Sequence, residues 1–241
     1  MRTLIVGDIH GGLRALEQVL ERAAIGPNDH FIFLGDYVDG WSDSAKTISF
    51  LIDFSKKYSS VFLMGNHDEL LYKYLNDGDD NPMWLHHGGA STKANYAELS
   101  KPNIEVHIAF LKQLKAYHID SENRLYCHAG FTNMHGPQHE YYPNLTYWDR
   151  TLWEMVCTMD HSLDPEDKHY PKRLKLFSEI YIGHTPVTRI GKTTPVNFAN
   201  VWNVDTGAAF KGPLSIIDAN TKEVWQSDPV WELYPNEQGR N

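Results

Sequence analysis

Cysteine is scarce in this chain. Its 241 residues include two, Cys127 and Cys157, too few for a disulfide framework. Cys127 lies in the apolar run Leu125-Tyr126-Cys127 and reads as a small buried hydrophobe. No apolar stretch approaches the roughly 18 residues that a membrane-crossing helix needs, so no membrane partner is expected. Lys and Arg form no run. They total 22 against 31 Asp and Glu, a net charge of -9 with His neutral. Without a basic stripe there is no footprint for counterion release, which excludes nucleic acid as an expected partner. The opening Met1-Arg2-Thr3-Leu4-Ile5-Val6-Gly7 lacks the pattern of a signal peptide, and the expected location is the cytoplasm. An acidic chain weakly repels anions, so any anionic substrate has to be drawn in by a local positive site, and bound cations are the usual way to build one.

What is present is enough apolar material, 41%, for one sizeable core, and the expectation is a single domain over residues 1–241. Thr3–Val6 reads as a strand, Leu13–Ala24 as a helix with apolar residues at helical spacing, and Phe31–Leu34 as a strand. Ala45–Phe54 reads as a helix and Val61–Met64 as a strand. This alternation predicts an α/β sheet. Farther on, Asn103–Leu114 reads as a helix and Arg124–Cys127 as a strand. Thr132–Tyr147, rich in Pro, His and Tyr, reads as a cap or loop over the site. Ile180–Ile182, Val201–Val204, Leu214–Ile217 and Glu223–Gln226 read as short strands.

Polar clusters follow several of these strands: Gly7-Asp8-Ile9-His10, Gly35-Asp36-Tyr37-Val38-Asp39, Gly65-Asn66-His67-Asp68, His128-Ala129-Gly130 and Gly183-His184-Thr185-Pro186. Strand ends are where α/β sheets place their sites. Carboxylate, carboxamide and imidazole together suit borderline divalent metals such as Mn, Fe or Zn, and there is no thiolate set. Asp8 and His10, two residues apart, can face one side of an extended backbone. A carboxylate has two oxygens, so one central Asp can bridge two ions.

These motifs, in this order, resemble the calcineurin-like metallophosphoesterases, and within them the phosphoprotein phosphatase family in its small bacterial form. Trp84-Leu85 before Gly88-Gly89, Trp148 before Arg150, and Asp205-Thr206-Gly207 add to the match, which runs from Asp8 to about Gly207. The resemblance implies two facing mixed β-sheets flanked by helices, in α-β-β-α layers. It implies two divalent ions, Mn foremost in vitro, held by Asp8, His10, Asp36, Asn66, His128 and His184, with Asp36 bridging. His67 would protonate the leaving oxygen, Asp39 would orient His67, and Arg150, with Asn66, would hold substrate phosphate. The implied activity is hydrolysis of a phosphomonoester by water activated between the ions, with phosphoserine or phosphothreonine as substrate. The alternatives are a nucleotide or dinucleoside polyphosphate hydrolase of the same architecture and a non-catalytic metal-binding adaptor.

One position departs from the family. Where it carries Arg after the second Asp of Gly-Asp-x-Val-Asp, this chain has Gly40, followed by Trp41. A bidentate guanidinium is not replaced conservatively by glycine. Lys93, Arg189 or a backbone amide are candidates for its role, and Gly40→Arg is expected to raise kcat/KM on simple phosphomonoesters, provided Trp41 leaves room for the side chain.

Overall fold

The computed structural model describes residues 1–240. Two five-stranded mixed sheets carry the fold. The first runs β10 (Val224–Gln226), β9 (Ser215–Asp218), β1 (Thr3–Val6), β2 (His30–Phe33), β3 (Ser59–Phe62). The second runs β4 (Tyr117–Ile119), β5 (Arg124–Cys127), β6 (Glu179–Ile182), β8 (Val201–Asn203), β7 (Val196–Phe198). β1, β2 and β3 are parallel neighbours, as are β5, β6 and β8. The helices are α1 (Leu13–Arg22), α2 (Ser44–Ser55), α3 (Asn66–Asp77), α4 (Pro82–Trp84), α5 (Ala90–Ala97), α6 (Lys101–Leu111), α7 (Leu145–Trp148), α8 (Thr151–Thr158) and α9 (Val230–Leu233).

Side-chain alternation divides each central strand between two cores. In β1, Leu4 and Val6 join the cluster under α1 and α2, while Ile5 enters the layer between the sheets. In β5, Leu125 and Cys127 pack outward under α8, and Tyr126 turns inward against Tyr181 at 5.2 Å between ring centroids. Burial on both faces is why these strands read as unbroken apolar runs rather than alternating ones. Cys127 is fully buried, as its apolar neighbours imply.

Two stretches differ from expectation. β3 begins two residues earlier than Val61–Met64, because Ser59 and Ser60 pair with His30 and Phe31 at the sheet edge, while Leu63 bridges to Lys115. No residue of Thr132–Tyr147 lines the site, and Tyr141 and Tyr142 are 85% and 62% accessible. The cover comes instead from Asn81–Gly89, a helical segment broken at Gly88, which adopts φ 104°. No helix among the described residues is long and apolar enough to cross a membrane.

His107 on α6 is buried, with Nε2 2.9 Å from the Ser49 hydroxyl and Nδ1 2.9 Å from the Tyr96 hydroxyl. Burial pushes its pKa down to about 4 from an ordinary 6.5. As pH falls from 6.5 towards 4, the unfolded chain takes up a proton that the native ring refuses, so stability is lost in that window and not above it. In chelated, metal-free protein, melting temperature is expected to fall less steeply between pH 6.5 and 4 in His107→Gln than in the parent. Equal slopes would contradict the assignment.

Candidate active site

The polar clusters converge where the parallel strands of both sheets end. Asp8 and His10 follow β1, Asp36 and Asp39 follow β2, and Asn66 and His67 open α3 immediately after β3. His128 follows β5, His184 follows β6, and Asp205 follows β8. The sheets are tied together here: His128 Nδ1 bonds the Leu34 carbonyl at 3.0 Å, and the His184 amide donates to Asp8 at 3.0 Å. His10, Asp36, Asp39 and His184 all have positive φ, between 52° and 72°. Left-handed backbone costs roughly 1–2 kcal/mol for a residue other than glycine, and such strain gathers at functional sites.

Asp36 is central. Its carboxylate lies 3.5 Å from His10 Nε2 and 3.2 Å from His128 Nε2. His10 turns Nδ1 to the carbonyls of Val38 and Asp39, leaving Nε2 for the cluster. His128 Nε2 in turn is 3.2 Å from His184 Nδ1. Two sets of donor atoms lie within 4.8 Å of one another: His10, Asp36 and His67, and Asp36, His128 and His184. Asp8 adjoins the first set, 3.9 Å from His10. Gly183 permits this approach, since a Cβ there would sit 2.0 Å from Asp8 Oδ1. Asp68 supports Asp36 from behind, accepting the amides of Gly65, Asp36 and Tyr37 at 2.8–2.9 Å.

The cluster fits divalent cations. Asp8 Oδ1, Asn66 Oδ1 and His184 Nε2 are buried without a hydrogen-bond partner, and a buried polar group left unpaired costs about 1–3 kcal/mol. Asp8, Asp36, Asp68 and Asp205 are all at most 3% exposed, and none pairs with Lys or Arg among the described residues. Burial, reinforced by Asp205, drives Asp8 well above the ordinary carboxylate range. Burial likewise takes Asp68 to about 7 and Asp205 to about 6. Burial alone would lower His128, but Asp36 and Asp8 outweigh it and lift the ring to about 9. Burial holds His10 and His184 well below 6.5.

His67 is held differently. Its Nδ1 lies 2.6 Å from Asp39 Oδ2, which also accepts the Trp84 indole N–H at 2.7 Å. Nε2 is therefore the ring atom left to face the cavity. That cavity, about 500 Å³, is lined by His10, Asp36, Asn66, His67, His184 and Asp205, with Trp84, Trp148 and Phe210 as aromatic walls. Arg150, Arg189 and Arg240 also line it, and none of the three has a carboxylate partner among the described residues. Partial desolvation and the positive fields of Arg189 and Arg240 lower the pKa of Arg150. Glu69, in the first turn of α3, accepts the Trp148 indole N–H at 2.7 Å and so fixes the segment that carries Arg150.

Residues 1–207 match the calcineurin-like phosphoesterase family. The chain belongs to that family. Its members use a dinuclear divalent-metal site, and the enzyme class of this chain is phosphoester hydrolase. A bis(5'-nucleosyl)-tetraphosphatase (asymmetrical) of Oceanobacillus iheyensis is 27% identical over 238 residues, 92% of this chain and 90% of the relative. The enzyme of the same name from Bacillus thuringiensis is 28% identical over 233 residues, 90% of each. A solved structure of a candidate diadenosine tetraphosphatase superposes with TM-score 0.63 at 20% identity, covering 93% of this chain and 92% of that one, a likeness of fold. These relatives carry nucleoside tetraphosphatase names and not protein phosphatase names, which narrows the phosphoserine and phosphothreonine expectation.

All the predicted metal-ligand candidates meet at the cluster, and His67, Asp39 and Arg150 adjoin it. Lys93 does not: it pairs with Asp80 at 2.6 Å, outside the cavity lining. Nor can Gly40 simply take an arginine. Its φ is 121°, and a Cβ would lie 3.2 Å from the His10 carbonyl and 3.4 Å from Arg240 Cγ, so the expected gain from Gly40→Arg is withdrawn. Arg240 and Phe210 also line the cavity and lie outside every sequence motif; the departure at Gly40 is the only sequence hint of a displaced cation.

Adding Mn to chelator-stripped protein is expected to raise its melting temperature. At a free concentration about a hundredfold above Kd the gain is roughly 2.7 kcal/mol, or about 5–10 °C for a chain of this size. Asp36→Asn should abolish most of the rise. A full rise in Asp36→Asn, followed by differential scanning calorimetry, would contradict a shared Asp36.

Proposed function

We propose that the protein hydrolyses dinucleoside polyphosphates, cutting the phosphate chain into unequal parts. The observation that carries this reading is the set of three guanidiniums, without a carboxylate partner among the described residues, that line one aromatic-walled cavity together with candidate metal ligands. A monoester presents one phosphate. A polyphosphate presents several, and its charge matches Arg150, Arg189 and Arg240 together. Aromatic walls suit a nucleobase, and the names borne by the relatives support the same substrate class.

Two divalent cations bound at Asp8, His10, Asp36, Asn66, His128 and His184 would supply Lewis acidity and an acidified water. The chain's own residues do the rest. Arg150 and the Asn66 carboxamide bind phosphate oxygens and fix the reacting phosphorus. Asp39 keeps the Nδ1 proton of His67 and sets the ring's orientation, and Trp84 fixes Asp39 in turn. His67 delivers a proton from Nε2 to the departing oxygen, typically worth about 10²–10⁴-fold. Trp84, Trp148 and Phe210 limit water around the chain, which strengthens each charged contact.

Incubation with diadenosine tetraphosphate and Mn is expected to yield a nucleoside monophosphate and a nucleoside triphosphate, resolved by chromatography. In His67→Asn the loss should approach the range above on alkyl phosphates and shrink on p-nitrophenyl phosphate, whose leaving group is stable as an anion. Two diphosphates as products would refute the unequal cut. A larger kcat/KM on a phosphoserine peptide would favour the protein phosphatase reading.

A further inference from the structure

The Gly40 backbone and the segment after α9 are built around each other. Trp41, fully buried, donates its indole N–H to the Ala208 carbonyl at 2.7 Å and stacks on Tyr234 at 5.4 Å. Ser42 donates its amide and hydroxyl to Glu237 at 2.9 and 2.5 Å. Tyr234 donates its hydroxyl hydrogen to Asp43 at 2.8 Å. These contacts lead the chain back to Arg240, whose amide donates to the Ala209 carbonyl at 2.9 Å.

The Arg240 side chain then passes between two glycines. A Cβ on Gly40 would meet Arg240 Cγ at 3.4 Å, and one on Gly88 would meet it at 3.1 Å and the Gly40 amide nitrogen at 2.8 Å. Both glycines have positive φ, 121° and 104°, so neither position readily takes another residue. The slot they form carries the aliphatic stem towards the candidate metal ligands. The guanidinium comes to rest with its central carbon 5.5 Å from the Phe210 ring centroid and lines the cavity with His10, Asp36 and Arg150. A purely structural arginine would spend its donors on carbonyls or a carboxylate. Here Nε is buried with no partner, and no side-chain hydrogen bond or ion pair engages the head among the described residues.

We propose that Arg240 is a phosphate-binding residue of this site, its guanidinium donating to non-bridging phosphate oxygens alongside Arg150 and supplying from the far end of the fold the cation that Gly40 does not provide. This rests on reading the cavity as a phosphate site. It also gives Gly40 and Gly88 a shared purpose, since larger residues there would close the slot through which Arg240 enters.

Calorimetric titration of inorganic phosphate into the Mn-loaded full chain tests it without reference to the natural substrate. Arg240→Met keeps the stem and removes the donors; phosphate affinity should fall roughly ten- to a hundredfold, the worth of a charge-assisted hydrogen bond. Manganese content and melting temperature should be unchanged. Arg240→Lys, which keeps charge and stem and loses the planar fork, should recover part of the affinity. Phosphate affinity in Arg240→Met within about twofold of the parent, with metal intact, would overturn the proposal, and so would full parental affinity in Arg240→Lys if the methionine variant fails to fold; twofold is only about 0.4 kcal/mol. A parent protein that binds no phosphate would overturn both this proposal and the functional reading beneath it. A parent that binds phosphate through Arg240 yet leaves diadenosine tetraphosphate uncut would overturn that reading alone.

Discussion

The structure turns on an electrostatic debt at its centre. Asp8, Asp36, Asp68 and Asp205 are buried together, and the protein offers them no Lys or Arg at ion-pair distance among the described residues. Imidazoles and backbone amides soften the repulsion but do not cancel it, which is why several of these carboxyls are lifted out of their ordinary range. Isolated buried charge is among the most costly features a fold can carry. The arrangement makes sense as one half of a cation site.

Much of the surrounding architecture serves that arrangement. The strands parallel to one another in each sheet end together, so loops from both sheets deliver donors to one place. Rigid strands with both faces packed hold the donor-bearing loops, and the left-handed backbone at His10, Asp36, Asp39 and His184 turns each side chain inward. Asp68 bonds three amides around the Asp36 turn and so fixes the residue on which both donor sets depend. Three guanidiniums, those of Arg150, Arg189 and Arg240, line the same cavity as the donor cluster.

The cluster residues were legible in the sequence because metal chemistry restricts both residue type and place: Asp, Asn or His just past an apolar strand, beside a small residue. The central strands were legible because burial on both faces leaves apolar runs. The helices between Asn66 and Ala97 were not. The first helix opens on site residues instead of an apolar stripe, and the next segment is broken at Gly88. Arg240 was invisible for a different reason. Nothing local marks it, and its place follows only from how the segment after α9 packs on Trp41. The likeness to protein phosphatases rests on motifs that gather at the donor cluster, whereas Phe210 and Arg240, which line the cavity beside it, belong to none of those motifs.

The claim beneath this account is that one buried carboxylate serves two cations. Anomalous diffraction from crystals grown with Mn, recorded near the metal's absorption edge, tests it most directly. The account predicts two peaks about 3.5–4 Å apart, one beside Asp8 and His10, the other beside Asn66, His128 and His184, with Asp36 between them. A single peak at full occupancy, or two that do not share Asp36, would contradict it.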